Sequence, residues 1–340
     1  MQTSEFYYDL PDAAIAQTPV EPRHAARLLD TRDMADHVFS EVPLMLAGGD
    51  LVVVNRTRVR AARLRGFKVE TGGAVEVLLL SRDEAIWEAL IRPARRVRPG
   101  QLLEFPPGLK AIVCTAPVEG RCTIEFLDVR ESQLESLIEG AGEIPLPPYI
   151  HTPLQDPGRY QTVYAGDLGS AAAPTAGLHF SEQVLEGLSR RGVGLAYVDL
   201  RVGLDTFRPI SADRIDQHHM HSERVTVPEE TGSAISATRR RGGRVVAVGT
   251  TVVRSLESAV DREGRVRPFD GSTDLFIKPG YSFRAIDGLI TNFHVPGSTL
   301  VVLVAALLGN RWRLAYETAL RRGYRFLSFG DAMYAEVERR

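Results

Sequence analysis

Apolar residues run along this chain in three rhythms. The first fifty residues are compact and proline-punctuated: Tyr8-Asp9-Leu10-Pro11, a short helical stretch near Ala13 to Gln17, then Arg27-Leu28-Leu29. The turn Gly48-Gly49-Asp50 leads into Leu51 to Asn55, an unbroken apolar run that predicts a strand buried on both faces. Between 61 and 130 the strand-like runs are short: Val75 to Leu80, Ile86 to Ile91, Leu102 to Phe105, Lys110 to Cys114 and Cys122 to Phe126. Turn signals such as Gly72-Gly73 and Arg98-Pro99-Gly100 part them, the spacing of a small barrel or sandwich. A helix over Glu131 to Glu139 and the proline-rich Ile144 to Ile150 close this part and mark a boundary.

From residue 181 helix and strand alternate. Ser181 caps a helix ending at Gly192, Val193 to Val202 is a strand, and Pro228 opens a helix running to Gly242. Arg244 to Val248 is the next strand, followed by Gly249-Thr250-Thr251 and a helix near Val252 to Val260. Leu275 to Ile277, Leu289 to Phe293 and Arg325 to Phe329 read as further strands. Ser298 or Thr299 caps an almost wholly apolar helix stopped by Gly309, and Asn310 caps another that ends at Gly323. Such alternation is the signature of an α/β layer. The expected fold is a mixed sheet flanked by helices with an inserted small β-barrel, residues 1–58 plus 151–340 forming the α/β domain and 59–150 the barrel.

Composition changes this picture little: 340 residues at 44% hydrophobic and 25% charged are ordinary for a globular protein. Leu300 to Leu308, the longest apolar run, is about half the ~20 residues that cross a bilayer, and no basic leader precedes an apolar stretch at the amino terminus. The expectation is a cytoplasmic protein without membrane contact, and Cys114 and Cys122 alone make neither a disulfide framework nor a thiolate zinc site. A net charge of -2 argues against wholesale wrapping of nucleic acid, although lysine occurs only at Lys68, Lys110 and Lys278 and the remaining positive charge is arginine. Arg56, Arg58 and Arg60 recur at period two, either a phosphate-binding stripe or a charged strand edge kept from pairing. Arg92, Arg95, Arg96 and Arg98 form a second basic cluster.

Candidate chemistry gathers at the ends of the predicted strands. Gly169 to Phe180, G-S-A-A-A-P-T-A-G-L-H-F, carries Thr175 and His179 on a broken backbone of small residues. Two readings fit it: a tight crossover between layers, or a wall that approaches a ligand. Gly249-Thr250-Thr251 sits between a strand and a helix amino terminus, where free N–H groups favour an anion or where two threonines simply cap the helix. Thr291, Asn292 and His294 end an apolar strand, and Asp331 lies just past the last one, where ligands of open α/β sheets bind. His218-His219-Met220-His221 lacks the H-E-x-x-H spacing and reads as a proton-transfer or ribose-contacting loop rather than a metal site. There is no G-x-G-x-x-G, no P-loop and no G-x-S-x-G, so a serine hydrolase built on Ser170 and His179 is disfavoured.

These segments, taken with Tyr8-Asp-Leu-Pro11, Gly48 to Asn55, Ile144-Pro-Leu-Pro-Pro-Tyr-Ile150, Arg159-Tyr-Gln-Thr-Val-Tyr164, Met220-His-Ser-Glu223 and Gly330-Asp-Ala-Met333, resemble the S-adenosylmethionine:tRNA ribosyltransferase-isomerase family of queuosine biosynthesis over essentially the whole chain. The resemblance implies transfer and isomerisation of the ribosyl part of S-adenosylmethionine onto 7-aminomethyl-7-deazaguanine in tRNA. Epoxyqueuosine forms, and adenine and methionine leave. It implies S-adenosylmethionine as co-substrate with no separate cofactor or metal, the tRNA anticodon region as partner, and an α/β domain with an inserted barrel; oligomeric state stays open, a monomer being favoured. Carried over by position, His179, His221, His294 and Asp331 are the acid-base candidates, and Thr175, Thr250, Thr251, Thr291 and Asn292 the pocket residues. Arg56, Arg58, Arg92, Arg95 and Arg96 are the tRNA-facing ones. The chain departs from the family pattern at Arg201, where relatives carry histidine, and at Asp205, where they carry glycine. A charge pair bordering the substrate pocket leaves two other readings: a different acceptor for the same donor, or a binding protein without turnover.

Overall fold

The computed structural model describes residues 1–166, 168–203 and 209–337. The chain divides into two compact units, Met1–Arg58 with Pro147–Arg340, and Val59–Leu146. In the first, a nine-stranded mixed sheet is centred on four parallel strands, in the order Gly194–Leu200, Leu51–Asn55, Val245–Val248 and Gly288–Asn292. Beyond Gly288–Asn292 lie Ala332–Glu336 (antiparallel to it), Arg27–Asp30 and Ala35–Val38; beyond Gly194–Leu200 lie Glu223–Val227 and Phe269–Thr273.

The unbroken apolar run at 51–55 is explained by what covers it. Leu51 and Val53 enter one core with Val252, Val253 and Leu256, while Val52 and Val54 enter a second core on the other face with Phe180, Val184 and Leu188. Helices Thr250–Ser258, Thr299–Leu308 and Arg311–Arg321 contribute to the first core and helix Glu182–Arg190 to the second, so every side chain of this strand is buried. Each fully buried valine contributes roughly 1.5–3 kcal/mol.

In the second unit, Arg63–Lys68 pairs with both Ala74–Asp83 and Leu102–Phe105, which closes a six-stranded antiparallel barrel through Ile86–Arg92, Arg121–Leu127 and Leu109–Val113. Alternate residues point inward, Val75, Val77 and Leu79 against Trp87, Ala89 and Ile91, and helix Glu131–Ala141 adds Leu134 and Ile138 to the same core.

Four sequence expectations are corrected. The stretch near 13–17 is only a 3-10 turn, Asp12–Ala14. Leu275 to Ile277 is not a strand; the edge strand is the more polar Phe269–Thr273 just before it. Arg325 to Phe329 is a turn, in which Leu327 takes a left-handed φ of 68° and the Gly330 N–H donates to the Leu327 carbonyl. The final strand, Ala332–Glu336, therefore begins after Asp331 rather than ending before it. Lastly, Arg56, Arg58 and Arg60 form no period-two stripe, because the strand stops at Asn55. Arg56 grips Asp199 with Nη2 3.0 Å from Oδ2, and Arg60 grips Glu135 at 2.8 Å. Arg63–Lys68 was not expected at all: R-L-R-G-F-K places charge on alternate positions and shows only Leu64 as a plain core residue.

Candidate functional site

A cavity of about 580 Å³, counted out to its open mouth, lies at the carboxyl ends of the parallel strands. Three strand-to-loop junctions build it: Val202 after Gly194–Leu200, Gly249 to Thr251 after Val245–Val248, and Thr291 to Val295 around the end of Gly288–Asn292. This is where an open α/β sheet leaves a crevice. Ala173 to Ala176 and the turn at Leu327 and Ser328 complete the wall.

Gly249 makes one corner possible. Its φ of 91° and ψ of 150° suit glycine alone, and they swing the chain from the strand into helix Thr250–Ser258, whose first two residues are Thr250 and Thr251. Both threonines line the cavity, so their own N–H groups, which precede the first intrahelical acceptor, lie beside it, while the Val252 and Val253 amides donate to the Gly249 carbonyl. The Thr251 Oγ1 is buried without any hydrogen-bond partner.

Opposite stands a hydrogen-bonded chain. The Thr175 hydroxyl donates to Asn292 Oδ1 at 3.0 Å, and Asn292 Nδ2 donates to the carbonyls of Leu327 at 3.3 Å and Asp331 at 3.4 Å. His294 is held on three sides: Tyr316 Oη is 3.2 Å from both its amide and its Nδ1, Thr291 Oγ1 is 3.1 Å from its Nε2, and Tyr8 donates to its carbonyl. Tyr316 Oη accepts from the His294 amide, and each ring nitrogen faces one hydroxyl, Nδ1 that of Tyr316 and Nε2 that of Thr291, either of which can donate or accept. Burial pushes the His294 pKa down to about 3, so the ring is uncharged at neutral pH.

The other expected site residues lie elsewhere. His179 does not line this cavity. It stacks on Phe39 at 5.0 Å with its Nδ1 3.1 Å from the Ala176 carbonyl and its Nε2 2.9 Å from the Gly330 carbonyl, and burial lowers its pKa. Asp331 receives the amides of Arg27 at 3.0 Å and Arg325 at 2.8 Å and so clamps the turn that forms the cavity wall. His221 is half-buried beside His218, ring centres 6.3 Å apart. Among the described residues no group of three His, Cys, Asp or Glu side chains is placed to hold a metal. Arg201 is exposed, its guanidinium against the Gly169 backbone; Asp205 lies outside the described residues. Arg58 is exposed, and Arg92, Arg95 and Arg96 are exposed on the barrel unit and make no ion pair among the described residues.

Both readings of Gly169 to Phe180 turn out to describe parts of it. Pro174 to Ala176 face the cavity, but the close approach is to protein: a Cβ on Gly177 would fall 2.2 Å from Tyr164 Oη. Sequence reasoning passed over Tyr149, whose hydroxyl is 2.7 Å from Ser328 Oγ on the cavity wall, and the Glu223–Arg254 ion pair. Glu223 stands in Met220-His-Ser-Glu223, yet nothing in that strip signals that its partner comes from the second turn of a helix beginning at Thr250. Glu223 also accepts the Gly203 amide, and Arg254 donates to the Leu275 and Thr273 carbonyls, so the pair ties helix Thr250–Ser258 to the loop that follows Val202.

A family model described as a queuosine biosynthesis protein matches residues 3–335. The S-adenosylmethionine:tRNA ribosyltransferase-isomerase of Symbiobacterium thermophilum is 50% identical over 340 residues, 98% of this chain and 99% of its own. The crystal structure of S-adenosylmethionine tRNA ribosyltransferase from Thermotoga maritima is 36% identical and superimposes with a TM-score of 0.55, covering 97% of this chain and 99% of that one.

Proposed function

This chain belongs to the queuosine biosynthesis protein family, and from that membership we infer that it is an S-adenosylmethionine-dependent ribosyltransferase-isomerase acting on tRNA. It transfers and isomerises the ribosyl moiety onto 7-aminomethyl-7-deazaguanine, giving epoxyqueuosine with release of adenine and methionine. The sulfonium acidifies the adjacent 5' carbon and makes methionine a leaving group, so the protein must supply proton acceptors, donors and exclusion of water; the proposal includes no resident cofactor or metal.

The observation that carries the site assignment is convergence: Thr175, Thr250, Thr251, Thr291, Asn292 and His294, from three separate segments, line one cavity. We assign the donor substrate to it. Thr251 Oγ1 and the amides of Thr250 and Thr251 are the donors and acceptors offered to the substrate. We assign Thr291 and His294, 3.1 Å apart, a joint role in which the imidazole carries its proton on Nε2, donates it to Thr291 Oγ1 and leaves that hydroxyl proton for the substrate. His179 and Asp331 are positioning residues in this scheme, since each holds the 325–331 turn through backbone groups. His221 remains a candidate for proton transfer to the acceptor base. The tRNA anticodon region is assigned to Arg58, Arg92, Arg95 and Arg96, whose exposed guanidiniums suit phosphates. No helix among the described residues is long and apolar enough to cross a membrane, and a cytoplasmic monomer is the proposed form.

Incubation with S-adenosylmethionine and tRNA carrying 7-aminomethyl-7-deazaguanine releases adenine if this reading holds; adenine at the level of a buffer blank overturns it. Release with small amine acceptors but not with tRNA would instead select a changed acceptor, the consequence expected of Arg201.

A further inference from the structure

A second, smaller cavity, about 260 Å³ counted out to its open mouth, lies behind the His179 segment and shares Ser328 with the first. Its lining includes Arg23, Arg159, His179 and the Phe329-Gly330 backbone. The two arginines differ in what they have left to give. Arg23 spends Nη1 on the Gln161 carbonyl at 2.6 Å and Nη2 on the Gly158 carbonyl at 2.8 Å. Arg159 gives Nη2 to the Val20 carbonyl at 2.9 Å and Nε to Glu21, but its Nη1 is buried with no partner. A third guanidinium behaves alike: Arg325 donates Nη1 to the carbonyl of Thr18, next to the lining residue Pro19, and its Nη2 is also buried without a partner.

Buried guanidinium N–H groups without acceptors are costly, and proteins rarely leave them so. Here one belongs to a residue that lines the cavity, Arg159, and a second to Arg325, which binds the carbonyl next to the lining residue Pro19. Against the three guanidiniums stand the carboxylates of Glu21, which is two-thirds exposed, of Asp331, 4.0 Å from Arg325 Nε and already holding two amides, and of Asp156, which receives the Gly158 amide. The cavity is therefore short of negative charge and rich in donors, the environment of an oxyanion.

We propose that the Arg159 pocket binds the carboxylate at the amino-acid end of S-adenosylmethionine while the nucleoside part occupies the larger cavity, Ser328 belonging to the wall of both. This rests on the donor substrate assigned above. A terminal carboxylate suits a small pocket whose Arg159 side chain is only 12% exposed; a phosphodiester, continued by chain on both sides, needs a groove.

Titration calorimetry on the full-length protein tests the assignment, with S-adenosylmethionine and its decarboxylated analogue as ligands for wild type and Arg159→Gln. Loss of one charge-assisted contact corresponds to roughly 10- to 100-fold in affinity, so wild type should prefer the carboxylated ligand by about that factor. Arg159→Gln should abolish most of the preference and leave affinity for the decarboxylated analogue intact, which also shows that the variant is folded. Equal binding of both ligands by wild type, or an undiminished preference in Arg159→Gln, overturns the proposal. So does a variant that keeps the preference but loses affinity for tRNA, since the anion is then a phosphate. Wild type binding neither ligand is a separate result, in which the functional reading falls as well.

Discussion

The cavity wall of the α/β unit and the arginine cluster of the barrel unit handle polar groups in opposite ways. Around the cavity, hydroxyl, amide and imidazole groups are buried, uncharged and bonded chiefly to one another, as in Thr175 to Asn292 and Thr291 to His294. On the barrel, Arg92, Arg95 and Arg96 are charged and exposed. The contrast teaches where each kind of recognition draws its strength. A dry, neutral pocket discriminates by geometry and is indifferent to salt, whereas exposed guanidiniums attract a polyanion at a distance and are screened by it.

Measurements can break or sharpen that contrast. The largest effect is expected inside, at the buried ion pair behind the cavity. Glu223→Ala leaves Arg254 buried and uncompensated and should lower unfolding free energy by about 3–5 kcal/mol in denaturant titration. Stability equal to wild type would mean that the interior tolerates charge as freely as the surface. Next, His294→Ala should reduce single-turnover adenine release by roughly 100- to 1,000-fold, the cost of removing one preorganised donor, with tRNA affinity unchanged. A third test uses acid. The His294 pKa is depressed from the ordinary 6.5 to about 3, so below pH 6.5 the unfolded chain takes up a proton that the native protein refuses. The stability contribution is complete above pH 6.5 and is lost as pH falls toward 3; His294→Asn should flatten the fall in melting temperature across that window. The smallest effect belongs to the barrel: Arg95→Gln with Arg96→Gln should lower the slope of log affinity for tRNA against log salt by about 1–2, leaving adenine release at saturating tRNA unaltered.

Much of the α/β unit was legible because burial on both faces forces an unmistakable pattern. Leu51–Asn55 and Val245–Val248 have no polar face to confuse the reading. The edge strands escaped because pairing rather than burial defines them: Ala35–Val38 and Phe269–Thr273 bury little, and their sequences look like loop. In the site, residues at strand ends were readable by the rule that ligands sit there, which is how Thr250, Thr291 and His294 were found. What the sequence could not convey was spacing in three dimensions. His179 and Asp331 have the right chemistry and adjoin the wall, yet both face away from the cavity into backbone carbonyls and amides. Tyr149 reaches Ser328 across 179 residues of sequence, a neighbour that no local pattern announces.

The position of Leu51–Asn55 at the middle of its sheet sets a schedule for folding. Its two neighbours in the sheet, Gly194–Leu200 and Val245–Val248, are separated from it by the whole of the unit at Val59–Leu146 and more. During synthesis the barrel, contiguous in sequence, can close as soon as it leaves the ribosome, while the strand Leu51–Asn55, apolar at four of its five positions, waits for well over a hundred further residues before either edge is paired. The amino-terminal segment is thus the vulnerable part of the nascent chain, and its protection falls to whatever binds unpaired strands until residue 248 has been made.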